Sequence, residues 1–146
     1  MPSKRGKNIS NIIAVTHDGV KKVWNKEGAM TAPDIVHFIR NVLPRARRPI
    51  TPLVLDNSSL HKGKQVADAA RDRGYILWFL PAYSPDMAPI EPIIGMVKNY
   101  VRHQKPRSYA EAVAAVDEGL EKVTVQNIQR CYKHCGFKPM RICKRR

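Results

Sequence analysis

Negative charge is scarce in this chain. Twelve Asp and Glu stand against twenty-six Lys and Arg, a formal net charge of +14. A surface of that sign gathers polyanions within about a Debye length. Nucleic acid is the expected partner, with ribosomal-type RNA binding and an anionic membrane surface as rival readings. Long apolar runs are missing too. None nears the ~20 residues that span a bilayer, so no membrane partner is expected. The leading MPSKRGKN is basic but enters no apolar, cleavable signal region. The protein is therefore expected in the nucleus or cytoplasm, not secreted, and the sequon Asn57-Ser58-Ser59 goes unused. Cysteine is sparse and odd in number: Cys131, Cys135 and Cys143 all fall in the last sixteen residues. Free thiols in a reducing compartment fit that pattern, and the want of a paired CxxC spacing weighs against a metal site with His134.

What is present suits one domain. A chain of 146 residues, 43% hydrophobic, can bury a real core. Residues 2–8 are polar and basic, a flexible start. Ile9–Thr16 and Val20–Trp24 read as hairpin strands about Asp18-Gly19, which makes Asp18 a turn residue rather than a catalytic acid. Thr31-Ala32-Pro33-Asp34 opens a helix whose apolar face is Ile35, Phe38, Ile39, Val42 and Leu43, ended by Pro44. Arg45, Arg47 and Arg48 follow as a basic connector, either solvated or touching phosphate. Ile50–Leu55 predicts a strand, Lys62–Arg73 a helix ended by Gly74, and Tyr75–Leu80 another strand. Two strands separated by one such helix predict parallel pairing.

Ile90, Ile93, Ile94, Val97, Tyr100 and Val101 have helical spacing, broken by Lys105-Pro106-Arg107. Ser108 and Glu111 read as a capping box for a further helix, and Thr124–Tyr132 as the last. Trp78, Tyr83 and Tyr100 are expected in core or loop packing rather than base stacking. Lys144-Arg145-Arg146 reads as a solvated terminus, with a weak nuclear signal or a DNA-gripping tail as alternatives. The element order predicts an α/β domain in which a hairpin joins parallel strands in one mixed sheet.

Two acids stand at telling places. Asp56 ends an apolar strand, and Glu91 follows a loop stiffened by Pro81, Pro85 and Pro89 at the start of a helix. A strand-end acid facing a helix-start acid suits hard divalent cations, which prefer oxygen ligands. Asp56-Asn57, His61, the run Leu80-Pro81-Ala82-Tyr83-Ser84-Pro85-Asp86, then Pro89-Ile90-Glu91 and Lys98 resemble the mariner-type transposases of the DDE superfamily. Between Asp56 and Glu91 lie 34 residues, the spacing that family places between its second and third acids. Ala88 and Ile94 depart from the pattern, which usually has Asn and Trp there.

The resemblance covers about residues 8–103, with residues 104–146 a helical extension. It implies a ribonuclease-H-like fold, truncated at its N-terminus because the first strand and its acid have no counterpart. It also implies DNA cleavage and strand transfer, with Asp56 and Glu91 as catalytic residues and ligands of Mg²⁺ or Mn²⁺, bound weakly without the first acid. Asn57 and His61 are supporting candidates: Asn57 bracing Asp56 or capping its turn, His61 orienting a carboxylate or simply starting a helix. Tyr83, Ser84 and Asp86 would shape the proline loop. Lys98 and Arg102, with Arg45, Arg47 and Arg48, are the DNA-binding candidates. Three outcomes stay open: a working endonuclease, a basic DNA-binding remnant without catalysis, or a remnant that pairs with itself or with full-length transposase.

Overall fold

The computed structural model describes residues 9–48, 51–81 and 85–137. The basic start, Tyr83, Ser84, Cys143 and the Lys144–Arg146 tail lie outside the described residues. Strand β1 (Ile9–Val15) turns back into β2 (Lys21–Glu27) as an antiparallel hairpin with Ile12 opposite Trp24. The turn closes where the sequence places it. The Val20 N–H donates to Thr16 Oγ1 (3.0 Å), the Gly19 N–H donates to the Thr16 carbonyl (3.1 Å), and Asp18 is exposed. Gly19 sits at φ +97°, and a Cβ built there would lie 2.5 Å from Val125 Cγ2. Both backbone and neighbour therefore demand glycine. β2 runs three residues past the predicted end at Trp24, because Asn25, Lys26 and Glu27 find partners along β1.

Helix α1 (Ala32–His37) is held at its start by Asp34, whose carboxylate accepts from the Thr31 N–H (2.8 Å) and Thr31 Oγ1 (2.7 Å). It ends in one wide turn, Phe38–Val42, in which the Leu43 N–H reaches back five residues to the Phe38 carbonyl. Strand β3 (Thr51–Leu55) crosses through α2 (Lys64–Asp72) into β4 (Tyr75–Phe79), and β3 and β4 pair in parallel with Leu53 beside Leu77. A short loop leads into α3 (Ile90–Gln104), then α4 (Tyr109–Glu121) and α5 (Val125–His134). Lys105 stops α3 in a left-handed conformation at φ 48°. The expected capping box at α4 is half formed: the Glu111 N–H donates to Ser108 Oγ, but the Glu111 carboxylate accepts from the Arg107 N–H.

Two cores result. Ile12, Ala14 and Trp24 pack with α1, its wide turn, α2, Leu53, Tyr75 and Leu77. Ile13, Val15 and Val23 pack with Ile93 and Val97 of α3, Val116 and Leu120 of α4, and Ile128 and Cys131 of α5. Period-two alternation on the hairpin thus supplies both helical layers. The architecture is mixed α/β with flanking helices, consistent with the ribonuclease-H-like class, but among the described residues hairpin and parallel pair are separate two-stranded sheets.

One packing expectation fails. Trp78 is 57% exposed and Ile76 51% exposed. They lie on the face of β4 turned away from the side that carries Tyr75 and Leu77 into the α1–α2 core, so the aromatic run of β4 is only half buried. Tyr100 does pack: a Cβ on Gly119 would lie 3.1 Å from its ring, and its hydroxyl donates to Glu118 (2.7 Å). No helix among the described residues is long and apolar enough to cross a membrane.

Candidate active site

The β3–β4 ladder ends with the Leu80 N–H donating to the Leu55 carbonyl (2.8 Å), so Asp56 is the first residue past the pairing. Its backbone is released from the sheet there while the strand still fixes its position. The next residues fold back on it. Ser58 donates its N–H to Asp56 Oδ1 (3.1 Å) and Ser58 Oγ accepts from the Leu60 N–H (3.3 Å), starting a tight turn at Ser59–His61. That turn delivers His61 Nδ1 to 2.8 Å from Asp56 Oδ1, with the side chain of His61 16% exposed and that of Asp56 62% exposed. A restrained ring therefore holds an open carboxylate. Both contacts fall on Oδ1, and Oδ2 has no partner among the described residues.

The loop before α3 contributes the second acid. Pro89 caps the helix, and the Glu91 N–H donates to the Ala88 carbonyl (3.1 Å). Glu91 lies in the first turn rather than at the cap, so its carboxylate is not taken up by backbone donors. It is exposed and pairs with nothing among the described residues. Ala88 is 4% exposed, a core residue instead of a capping one. Asp56, His61 and Glu91 line one cleft of ≈ 420 Å³, together with Ser58, Leu60 and Ile94. Asp86 is exposed in the short turn Pro85–Met87.

Of the remaining candidates, Lys98 and Arg102 are exposed on α3 at seven and eleven residues past Glu91. With Gly95 between, they make one stripe along the helix, about 16 Å from end to end. Among the described residues nothing lies within 4 Å of a Cβ built at Gly95, so their packing does not call for glycine there. Arg45, Arg47 and Arg48 are exposed before β3. The Ala46 N–H donates to the Arg73 carbonyl, just before β4 begins. This puts the arginine connector at the N-terminal ends of both parallel strands, a strand length of roughly 17 Å from Asp56. Asn57 is exposed and makes no hydrogen bond to Asp56 among the described residues. Ser58 performs that bracing instead. The sequence held the signal in Asp56-Asn57-Ser58, an Asx-turn pattern in which the residue two positions on donates its N–H.

Residues 1–113 match the family described as DDE superfamily endonuclease. The chain belongs to that superfamily. No curated protein matches it. As a DDE superfamily endonuclease its substrate is DNA and its chemistry that of a transposase-like nuclease, the general activity that the acids at 56 and 91 suggest.

Members of this superfamily generally work with divalent metals. Here the donor set is partial. Two carboxylates face one cleft and can offer oxygen to a single hard cation that keeps several waters. Among the described residues no three His, Cys, Asp or Glu side chains gather to hold an ion. That speaks against a two-ion clamp made by these residues alone. The same holds for Cys131, Cys135 and His134: both cysteines are free, and burial pushes both thiols up, away from thiolate character.

Proposed function

We propose that the protein is a mariner-type member of the superfamily that binds DNA along α3 and presents a phosphodiester to Asp56 and Glu91, with impaired cleavage. The observation that carries this reading is the shared cleft of Asp56, His61 and Glu91, continued by Lys98 and Arg102 on the helix that carries Glu91 in its first turn. His61 and the Ser58 N–H fix Asp56 Oδ1, which leaves Oδ2 to meet a ligand. Glu91, which lines the same cleft, supplies the second oxygen. A Mg²⁺ or Mn²⁺ ion held there would place positive charge on a phosphate oxygen as charge builds in the reaction. Lys98 and Arg102 neutralise backbone phosphates on either side of the strand being held. Cleavage is impaired because two carboxylates offset the repulsion of paired ions poorly.

The second reading, a DNA-binding protein without catalysis, is favoured by the same partial donor set. Nicking of supercoiled plasmid with Mg²⁺ or Mn²⁺ separates the two. Slow nicking abolished by Asp56→Ala supports the first. Retardation of duplex DNA that is salt-sensitive, with nicking unaffected by Asp56→Ala or absent, supports the second. We place the protein in the nucleus or cytoplasm, and pairing with itself or with a full-length transposase remains part of the proposal.

A further inference from the structure

The arginine connector before β3 takes no part in the cleft, whose lining includes none of residues 45–48. Three hydrogen bonds pin it to Arg73 and Tyr75 at the start of β4. The Ala46 N–H donates to the Arg73 carbonyl (3.0 Å), Arg73 Nη2 donates to the Leu43 carbonyl (2.6 Å), and the Tyr75 hydroxyl donates to the Pro44 carbonyl. Gly74 lets the two segments meet. It sits at φ +86°, and a Cβ built there would lie 3.2 Å from Ala46 Cβ. Ala46 is half-buried in this arrangement, while Arg45, Arg47 and Arg48 are exposed.

The charge on this ordered stretch has no answer inside the protein. Every Asp and Glu of the chain is a described residue, yet none pairs with Arg45, Arg47 or Arg48. The two acids of α2 pair with other arginines, Asp72 with Arg40 (3.0 Å) and Asp68 with Arg71 (3.2 Å). Three guanidinium groups within four residues repel one another, and an anion from outside relieves that repulsion. The connector exposes no large apolar side chain, which a protein-binding patch has at its centre. A row of fixed cations without apolar surface suits a phosphate backbone.

The connector is also off the path along α3. It lies at the end of the parallel strands opposite Asp56, roughly a strand length of 17 Å away. Its anchors Leu43 and Tyr75 belong to the α1–α2 core, whereas α3 packs into the other. We propose that Arg45, Arg47 and Arg48 form a second, sequence-neutral site for the sugar–phosphate backbone of duplex DNA, so that one molecule holds two duplexes at once. The α3 reading supplies the first duplex, and the pairing of the two rests on it; the contact at the connector does not.

The test uses the full chain. In gel retardation across a salt series, Arg45→Gln with Arg47→Gln and Arg48→Gln is expected to lower the slope of log K against log salt by about 2.7 for duplex DNA. Changing the same three to Lys, which preserves the charge, is expected to retain the slope. Bridging is read separately: beads carrying one duplex capture a second, fluorescein-labelled duplex only through the protein. The three Gln substitutions should cut that capture at least about tenfold while leaving a single duplex bound. A slope unchanged by them, or capture that survives them because paired chains bridge through α3 alone, would overturn the proposal. If Lys98→Gln with Arg102→Gln instead leaves slope and capture intact, the α3 reading fails and the connector contact is supported.

Discussion

His61 Nδ1 stands 2.8 Å from Asp56 Oδ1, the closest polar contact the candidate acid makes. His61 is five positions past Asp56, and the turn at Ser59–His61 brings the two together. His61 touches neither α3 nor any basic residue in a hydrogen bond or ion pair among the described residues, so its effect should run through Asp56. His61→Ala is expected to weaken Mn²⁺ binding by roughly 10- to 100-fold, as loss of an orienting partner does at metal sites. Thermal unfolding should scarcely change. Paramagnetic titration of Mn²⁺ gives the first quantity and circular dichroism the second; equal affinities would remove His61 from the site.

The stripe on α3 has a distinct signature. Lys98→Gln with Arg102→Gln removes two phosphate contacts, and the slope of log K against log salt should fall by about 1.8 for duplex DNA. The loss should be alike for unrelated sequences, since phosphate contacts carry no base readout. Gel retardation across a salt series measures it, and an unchanged slope would place the DNA elsewhere.

Lys21 fastens the hairpin to α4. Its ammonium donates to the carbonyls of Leu120 (2.8 Å) and Val123 (2.7 Å), with Glu121 at 3.4 Å. These carbonyls lie at and just past the C-terminus of α4, where a cation is favoured, and that of Leu120 also accepts from the Val123 N–H. Lys21→Met should cost about 1–3 kcal/mol. Urea denaturation should show a lower midpoint with an unchanged slope.

Asp34 sets an acid limit. Hydrogen bonds from Lys26 and then Thr31 hold its carboxyl down at about 2 from an ordinary 3.8. A folded pKa below the unfolded one means that the unfolded chain binds the proton first as pH falls. The contribution is therefore whole above about 3.8 and disappears as pH drops through about 2. Asp34→Asn should lower stability at neutral pH and flatten the stability profile between those values, which thermal melts across the range would show.

Gly19→Ala tests the turn. It meets both an unfavourable φ and Val125 Cγ2 at 2.5 Å, and a loss of about 1–3 kcal/mol is expected. Adding Val125→Ala should recover the steric part but not the backbone part. Chemical denaturation of the two variants separates them.

The elements were legible because the sequence punctuates them locally. Asp18-Gly19, Gly74 and Ser108 mark their turns and caps, and Val66, Ala69 and Ala70 mark the buried face of α2. The acids were legible through the strand that ends at Asp56 and the prolines that precede Glu91. What escaped was set by partners distant in the chain. Lys21 looks like any exposed lysine until α4 arrives about a hundred residues later. Trp78 looks like core because its own strand is apolar, yet among the described residues no helix packs on that side and it is exposed. Arg45, Arg47 and Arg48 adjoin Asp56 in sequence, yet an intervening strand carries them to the other end of the sheet. Ile94, by contrast, needed no Trp to reach the cleft wall.

The hairpin is the one element, among the described residues, whose side chains enter both cores. Ile12 and Ile13 are neighbours in the chain yet anchor opposite halves of the protein. Mechanically it is a hinge leaf screwed to two doors. Loosening either half should leave its amides guarded by the other, so they should be the last to exchange with deuterium, even though a ribbon of two strands is the weakest kind of sheet when it stands alone.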